Sequence, residues 1–150
     1  MRQDNRLSCV LHVLLHMAEA GGPMTSEALA RALNTNPVVV RRLMGGLREH
    51  GYVHSEKGHG GGWTLSCQLD QVTLRDIYEA LDAPRLFAIG NRSEETECLV
   101  EEAVNHAMSS VLTDVKAQLL ARFGQITLAA LHADFHQRLA ERHGPTTLCK

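Results

Sequence analysis

Residues 25–63 read TSEALARALNTNPVVVRRLMGGLREHGYVHSEKGHGGGW and combine two helical patterns with a glycine-rich hairpin. Thr25 or Ser26 can cap a first helix, which runs through Leu33 and ends near the Asn-Thr-Asn-Pro sequence at 34–37. The proline of that sequence suits the first position of a second helix, with the preceding Thr or Asn as its cap. Two helices joined by so short a turn predict a helix-turn-helix, in which the second helix enters the major groove of DNA.

The second predicted helix has one apolar and one polar face. Its apolar residues recur at helical spacing and are Val40, Leu43, Met44 and Leu47. The opposite face consists of Val38, Arg41, Arg42, Gly45, Arg48 and Glu49. Because the first turns of such a helix contact base edges, Val38 and Arg41 are the best candidates for base contact.

The glycine-rich segment that follows predicts a wing. Gly51 is placed to end the second helix, and residues 52–54 and 63–66 alternate as two short strands. Four glycines within residues 58–62 can turn tightly, and Lys57 can reach a phosphate or the narrow minor groove. A nucleotide-binding loop would need a helix directly after its glycines, and none is predicted here. The tryptophan that opens the second strand is expected to be a structural plug at the base of the wing.

The predicted DNA contacts are consistent with the distribution of charge. The net charge is −2, but residues 1–57 hold seven Lys and Arg against five Asp and Glu, and residues 58–150 hold eight against twelve. Phosphate contacts require local positive charge, which the first segment provides. The candidate DNA-binding residues are Ser26, Thr35, Asn36, Val38, Val39, Arg41, Arg42, Arg48, Lys57, His59 and Gly60.

Four further helices and a linker complete the predicted architecture. A helix over Arg6–Ala20 ends at a Gly-Gly-Pro sequence, and Thr73 caps a short helix that ends at about Leu81. The sequence divides into a DNA-binding domain at 1–84, a linker or sensory loop at 85–93, and dimerisation helices at 94–150. The predicted fold is therefore mostly α, with a two-stranded wing and a long C-terminal dimerisation helix.

The long helix is predicted to start at Ser93 and to continue to Phe123, a length of about 45 Å. Its apolar positions are Val100, Val104, Ala107, Val111, Val115 and Leu119, widened by Leu99, Ala103, Met108, Leu112 and Leu120. A core helix of a monomer is the alternative, but this face is too wide for a small bundle to cover, so we expect a homodimer. A last helix, capped by Thr127, is expected to fold back across that dimer.

Composition excludes several other classes of protein. The chain has 150 residues, 44% of them apolar, and no apolar run near the roughly 20 residues that span a bilayer. Residues 1–5 do not have the form of a signal peptide, so we expect a cytoplasmic location. Its four cysteines, at positions 9, 67, 98 and 149, are too scattered for a disulfide scaffold and are expected to be free thiols.

Five segments in sequence order resemble the Rrf2 family of bacterial transcriptional regulators: residues 26–30, 34–43, 47–51, 57–63 and 72–78. The resemblance extends more loosely to the long helix and to residues 126–131. It implies a homodimer, expected to be a repressor, that binds a palindromic double-stranded DNA operator. The second helix would then read the major groove and the wing the minor groove.

The resemblance also bears on the signal that the protein senses. Family members that bind an iron-sulfur cluster carry three closely spaced cysteines before and at the start of the long helix, where this chain has only Cys98. No cofactor is therefore expected, and a two-iron two-sulfur cluster at Cys98 is the alternative. Some relatives without a cluster form an intersubunit disulfide at this position, which implies redox sensing by Cys98 with Cys9 or Cys67 of the partner. Our hypothesis is the pairing with Cys9, and an inert buried thiol is the alternative.

The histidines do not predict a metal site, and the sequence does not predict an enzyme. His12 with His16, and His132 with His136, are each four residues apart, but neither pair has a third ligand at a fixed spacing, so no metal site is predicted. No residue would orient a cysteine–histidine pair for catalysis, which argues against an enzyme. A protein-interaction adaptor built on a winged helix remains an alternative, and it should keep its partner when Arg41 and Arg42 become alanine.

Overall fold

A computed structural model describes residues 3–142. Within them the elements are α1 (Arg6–Ala20), α2 (Ser26–Leu33), α3 (Pro37–Glu49), β1 (Val53–Glu56), β2 (Gly62–Leu65), α4 (Leu74–Ala80), α5 (Leu99–Phe123) and α6 (Leu128–Glu141). The predicted fold class, mostly helical with a two-stranded wing, is confirmed. In the described part of the chain, no helix combines the length and apolarity needed to cross a bilayer.

Side-chain caps fix the helix-turn-helix in its predicted position. The hydroxyl of Thr25 accepts a hydrogen bond from the Ala28 amide at 3.1 Å, so Thr25 is the α2 cap. The side chain of Asn36 accepts from the Val38 amide at 2.7 Å, which leaves Pro37 at the first position of α3. Between the two helices the chain reverses at Asn34, whose φ of 52° is left-handed.

The core lies where α1 packs behind the helix-turn-helix, as predicted. The apolar face of α3 is buried against side chains of α1, α2 and α4. The largest fully buried side chains are Leu14, Leu29, Met44, Leu47, Ile77, Leu128, Val10, Val40 and Val53. Because this core fixes α3 from behind, the polar face of α3 is held rigidly toward solvent.

The wing is an antiparallel pair in which Val53 opposes Leu65 and Glu56 opposes Gly62. Met24, just before α2, adds a third backbone to its base, since Met24 and Trp63 exchange two hydrogen bonds of 3.0 and 2.8 Å. Gly62 has a φ of +148°, and a Cβ atom there would lie 2.7 Å from the Met24 carbonyl oxygen. Glycine at 62 therefore allows the backbones to approach each other.

The long helix is shorter than predicted, because it begins at Leu99 instead of Ser93. Local hydrogen bonds hold residues 93–98 in a non-helical conformation: the Ser93 hydroxyl donates to the Glu95 carbonyl at 2.7 Å, and the Cys98 amide donates to the Thr96 hydroxyl at 3.0 Å. Such side-chain to backbone bonds compete with helix formation. The helix has 25 residues and a length of about 37 Å.

The irregular segment before α5 lies along one side of that helix. The Asn91 amide donates to the Ser109 hydroxyl at 2.9 Å, and the Asn105 amide donates to the Ser93 carbonyl at 2.6 Å. The predicted linker at 85–93 is thus the first part of a longer segment that is tied to α5.

The C-terminal end of α5 and the start of α6 are fixed to α4. The rings of Tyr78 and Phe123 meet edge to face at 6.4 Å, and the Leu74 amide donates to the Ile126 carbonyl at 2.9 Å. Thr127 caps α6 as predicted. α6 packs on α1 of its own chain and buries Leu128 completely. That it also folds back across a dimer stays a prediction.

Candidate nucleic-acid interface

The solvent face of α3 combines apolar and cationic side chains. Val38 and Val39 lie in the first turn and are exposed, Val38 by 56%. Arg41 and Arg42 follow one turn later and are also exposed. Methyl groups and guanidinium groups are the partners that thymine and guanine edges favour in the major groove. The face that sequence analysis predicted for DNA is therefore accessible.

Arg41 and Arg42 differ in their surroundings. The guanidinium of Arg41 forms an ion pair with Glu27 of α2 at 2.9 Å, and both side chains are more than half exposed. Exposed ion pairs contribute only about 0–1 kcal/mol, so a phosphate can readily replace this carboxylate. Within residues 3–142, Arg42 forms no ion pair and is directly available to an anion.

The turn before α3 has both an exposed surface and a structural role. Thr35 and Asn36 are exposed, as their predicted DNA contacts require. The Thr35 amide donates to the Ala30 carbonyl at 2.9 Å, and one side-chain oxygen of Asn36 is occupied by the α3 cap. The turn therefore fixes the angle at which α3 leaves α2.

Ser26 requires a correction, because its side chain is only 8% exposed. Its hydroxyl accepts a hydrogen bond from the indole N–H of Trp63 at 2.9 Å. Ser26 therefore fastens α2 to the base of the wing, and its burial keeps the hydroxyl group from DNA. This contact also confirms the prediction that Trp63 is a structural plug.

Arg48 is exposed, but it lies over that same tryptophan. Its guanidinium carbon is 5.9 Å from the centre of the Trp63 ring, which is within cation–π distance. Arg48 thus links the end of α3 to the wing, and its predicted phosphate contact stays a prediction.

The tip of the wing presents Lys57, His59 and Gly60 to solvent. Gly60 has a φ of +76°, and a Cβ atom on Gly61 would lie 2.3 Å from the Glu56 carbonyl oxygen. The glycines therefore close a tight loop that bulkier residues would open. β1 follows α3 directly and buries Val53 in the core, so the wing is anchored to the helix-turn-helix.

Comparison with known proteins shows to which family this chain belongs. A sequence model of the Rrf2 family, described as "Iron-dependent Transcriptional regulator", matches residues 3–134. The chain belongs to the Rrf2 family. Among its relatives, YwnA of Bacillus subtilis is 27% identical over 114 residues, which cover 75% of this chain and 84% of YwnA. YwgB of Bacillus subtilis is 34% identical over 70 residues, which cover 47% of this chain and 45% of YwgB.

Both relatives are named as HTH-type transcriptional regulators. A solved structure from Lactobacillus plantarum, titled as a transcriptional regulator, has a TM-score of 0.73 and 26% identity. The match covers 93% of this chain and 99% of that one. Membership of the Rrf2 family makes this chain a DNA-binding transcriptional regulator and not an enzyme.

The family description names iron, and the position where an iron site is expected is Cys98, which is exposed and lies at the N-cap position of α5. A cluster iron needs several thiolate or imidazole ligands. Among residues 3–142, Cys98 is not part of any group of three donors close enough to hold one metal ion. The residues that one chain provides at this position therefore do not fit an iron-sulfur cluster.

The other two described cysteines are half-buried. Burial raises the pKa of the Cys67 thiol, which lowers its reactivity at neutral pH. Cys98 is thus the most accessible thiol of the three.

Proposed function

We propose that this Rrf2 regulator is a homodimeric repressor that binds a palindromic operator. The observation that carries the proposal is the solvent face of α3. The opposite face of this helix is buried, and the exposed residues at its start are Val38, Val39, Arg41 and Arg42. In a helix-turn-helix these positions meet the base edges of the major groove. The wing residues Lys57 and His59 then lie beside phosphates or the adjacent minor groove.

Dimerisation is supported by the exposed apolar stripe of α5. None of the 25 residues of this helix is buried, and Leu99 and Val100 are 79% and 74% exposed. The stripe continues along one face through Val104, Ala107, Val111 and Val115, all exposed. An apolar surface of this length is rarely left in water. A second copy of α5 is the occupant that we propose, with residues 1–84 as the DNA-binding domain and 94–150 as the dimerisation region.

The dimer also explains how a chain with few exposed cations can bind DNA. Each chain offers Arg41, Arg42 and Lys57 as exposed cations near the proposed contact surface. Two-fold symmetry doubles this set and places it on two half-sites about one helical turn apart. Neutralising phosphates at both half-sites makes affinity fall steeply with salt.

Redox control through Cys98 is a further part of the proposal. The thiol is exposed at the N-terminus of α5, where the helix dipole favours a thiolate. Glu101 and Glu102 in the first turn oppose this effect. We propose that oxidation joins Cys98 to Cys9 of the partner subunit and changes the angle between the two DNA-reading helices.

The proposed function is tested by selecting operators from random duplexes with the full-length protein. We expect a palindromic site, and we expect the Arg41→Ala/Arg42→Ala variant to bind it at least about tenfold more weakly, since each lost base contact costs about 1–3 kcal/mol. Arg92→Ala/Arg138→Ala is the control, because both arginines are exposed but lie outside the helix-turn-helix. If the protein were a protein-interaction adaptor, it would select no duplex. The wild type, the Arg41→Ala/Arg42→Ala variant and the control would then all bind the same protein partner.

A further inference from the structure

Two histidines and a glutamate meet where α6 packs on α1. One carboxylate oxygen of Glu19 lies 2.5 Å from His132 Nε2 and 2.6 Å from His136 Nε2. The three donor atoms all lie within 4.8 Å of one another, and residues 3–142 contain no other such group of three donors. Sequence analysis found no third ligand for this histidine pair, because Glu19 lies 113 positions before His132.

The helices that carry these donors are fixed by their packing. α1 buries Val10, Leu14 and Met17 in the core, and α6 begins at Leu128, which is completely buried. The two histidines are four residues apart and therefore point from one face of α6. Ligands on such elements are held in position before any ion binds.

The donor set suits a particular class of cation. Two imidazole nitrogens and one carboxylate oxygen, with a position left open, form the ligand set of many zinc and ferrous sites. Ligand bonds of about 2.1 Å place neighbouring donors on a tetrahedral ion about 3.4 Å apart. The separations between Glu19 and the two rings therefore need to open by less than about 1 Å.

From this geometry we propose that Glu19, His132 and His136 bind one divalent transition-metal ion, either zinc or ferrous iron. The ion replaces the hydrogen bonds that the two rings now make to the carboxylate. It ties α6, the helix that follows the proposed dimer helix, to α1 of the DNA-binding domain. The site lies apart from Cys98 and does not depend on the proposed function.

The surroundings of the cluster support ligand binding. Burial disfavours the charged form of Glu19, but the hydrogen bonds from His132 and His136 outweigh this effect and lower the pKa of the carboxyl. A small cavity lined by His12, His16 and Phe135 adjoins Glu19, so further imidazoles stand beside the cluster.

The test is a metal titration of the full-length protein after chelation, in a background with Cys98→Ser and Cys149→Ser so that neither thiol contributes. The protein competes with a chromophoric chelator for zinc and, under anaerobic conditions, for ferrous iron. We expect one equivalent to bind, and we expect Glu19→Gln and His136→Gln each to weaken binding at least about tenfold. His54→Gln, at an exposed histidine of the wing, is the control and should bind as the parent does.

Thermal unfolding provides a second readout. At about one hundred times the dissociation constant, the ion should raise the Tm of the parent by about 5 °C or more, and it should not raise the Tm of His136→Gln. The His136 side chain is 50% exposed, so this variant should fold. Preferential binding of zinc or of iron identifies the metal, and either supports the site. Absence of stoichiometric binding, or equal binding by both ligand variants and the parent, would overturn the proposal.

Discussion

Gly45 and Gly46 are adjacent in α3 but have different surroundings. A Cβ atom on Gly46 would lie 3.2 Å from the Ala80 carbonyl oxygen, whereas one on Gly45 would meet nothing within 4 Å. Packing against α4 explains the glycine at 46, but the fold does not require the one at 45. Because Gly45 shares a face with Arg41 and Arg42, we infer that it allows the duplex to approach closely.

We therefore expect Gly45→Ala to separate folding from DNA binding. Its free energy of unfolding should stay unchanged or rise by up to about 1 kcal/mol, because alanine favours a helix. Its operator affinity should fall about tenfold, a difference of about 1.4 kcal/mol. Gly46→Ala is the matched control and should lose about 1–3 kcal/mol of stability through overpacking. Thermal melts and operator titrations check both variants, and unchanged operator binding by Gly45→Ala would contradict the inference.

Glu27 is predicted to compete with DNA for Arg41. In Glu27→Gln the guanidinium loses its ion pair, so the affinity for duplexes of any sequence should rise about two- to fivefold, while stability changes by less than about 1 kcal/mol. Glu79→Gln is the control, since it breaks a similarly exposed ion pair with Arg75, at 3.0 Å. Binding to a non-operator duplex at fixed salt is the measurement, and weaker binding by Glu27→Gln would count against the proposed role of Arg41.

Cys98 gives a prediction about oxidation. Diamide should convert the wild-type protein into a disulfide-linked dimer on a non-reducing gel, and Cys98→Ser and Cys9→Ser should each prevent it. Cys67→Ser should behave as wild type, because burial raises the pKa of that thiol and disfavours its thiolate. If oxidised wild-type protein runs only as a monomer, the proposed link is wrong.

At the scale of elements, α5 carries the prediction about assembly. Val104→Glu/Val111→Glu places two charges on the exposed apolar stripe, so the protein should become monomeric and its operator affinity should fall. Thr113→Glu is the control, because a position two residues after Val111 points to the opposite side of the helix. Light scattering during size-exclusion chromatography measures the mass. A double variant that stays dimeric would exclude this stripe as the interface.

Elements with local signals were predictable from the sequence. The bounds of α1 and the position of α3 followed from helix periodicity, the Gly-Gly-Pro sequence after Ala20 and the proline at 37. The start of α5 was not predictable in this way, because Ser93 followed by acidic residues is typical of a helix N-terminus. In the structure the hydroxyl groups of Ser93 and Thr96 bond to nearby backbone instead, and the helix begins only at Leu99.

At the scale of the whole molecule, contacts between distant residues lay beyond the sequence pattern. Ser26 seemed to be a DNA contact by position alone, but its hydroxyl pairs with Trp63, 37 residues later. Glu19 could not be recognised as a ligand from the sequence, because it meets His132 and His136 only where α6 packs on α1. Periodicity and turn chemistry thus located the α3 face and the wing, whereas only the tertiary fold decides which polar side chains stay free.

The central claim is that two α3 helices of one dimer occupy successive major-groove turns of one duplex. Protection of operator guanines from methylation at N7 tests it most directly, because this atom lies in the major groove. We predict two protected clusters about 10 base pairs apart, both lost with Arg41→Ala/Arg42→Ala. A single protected cluster, or protection that persists without these arginines, would contradict the account.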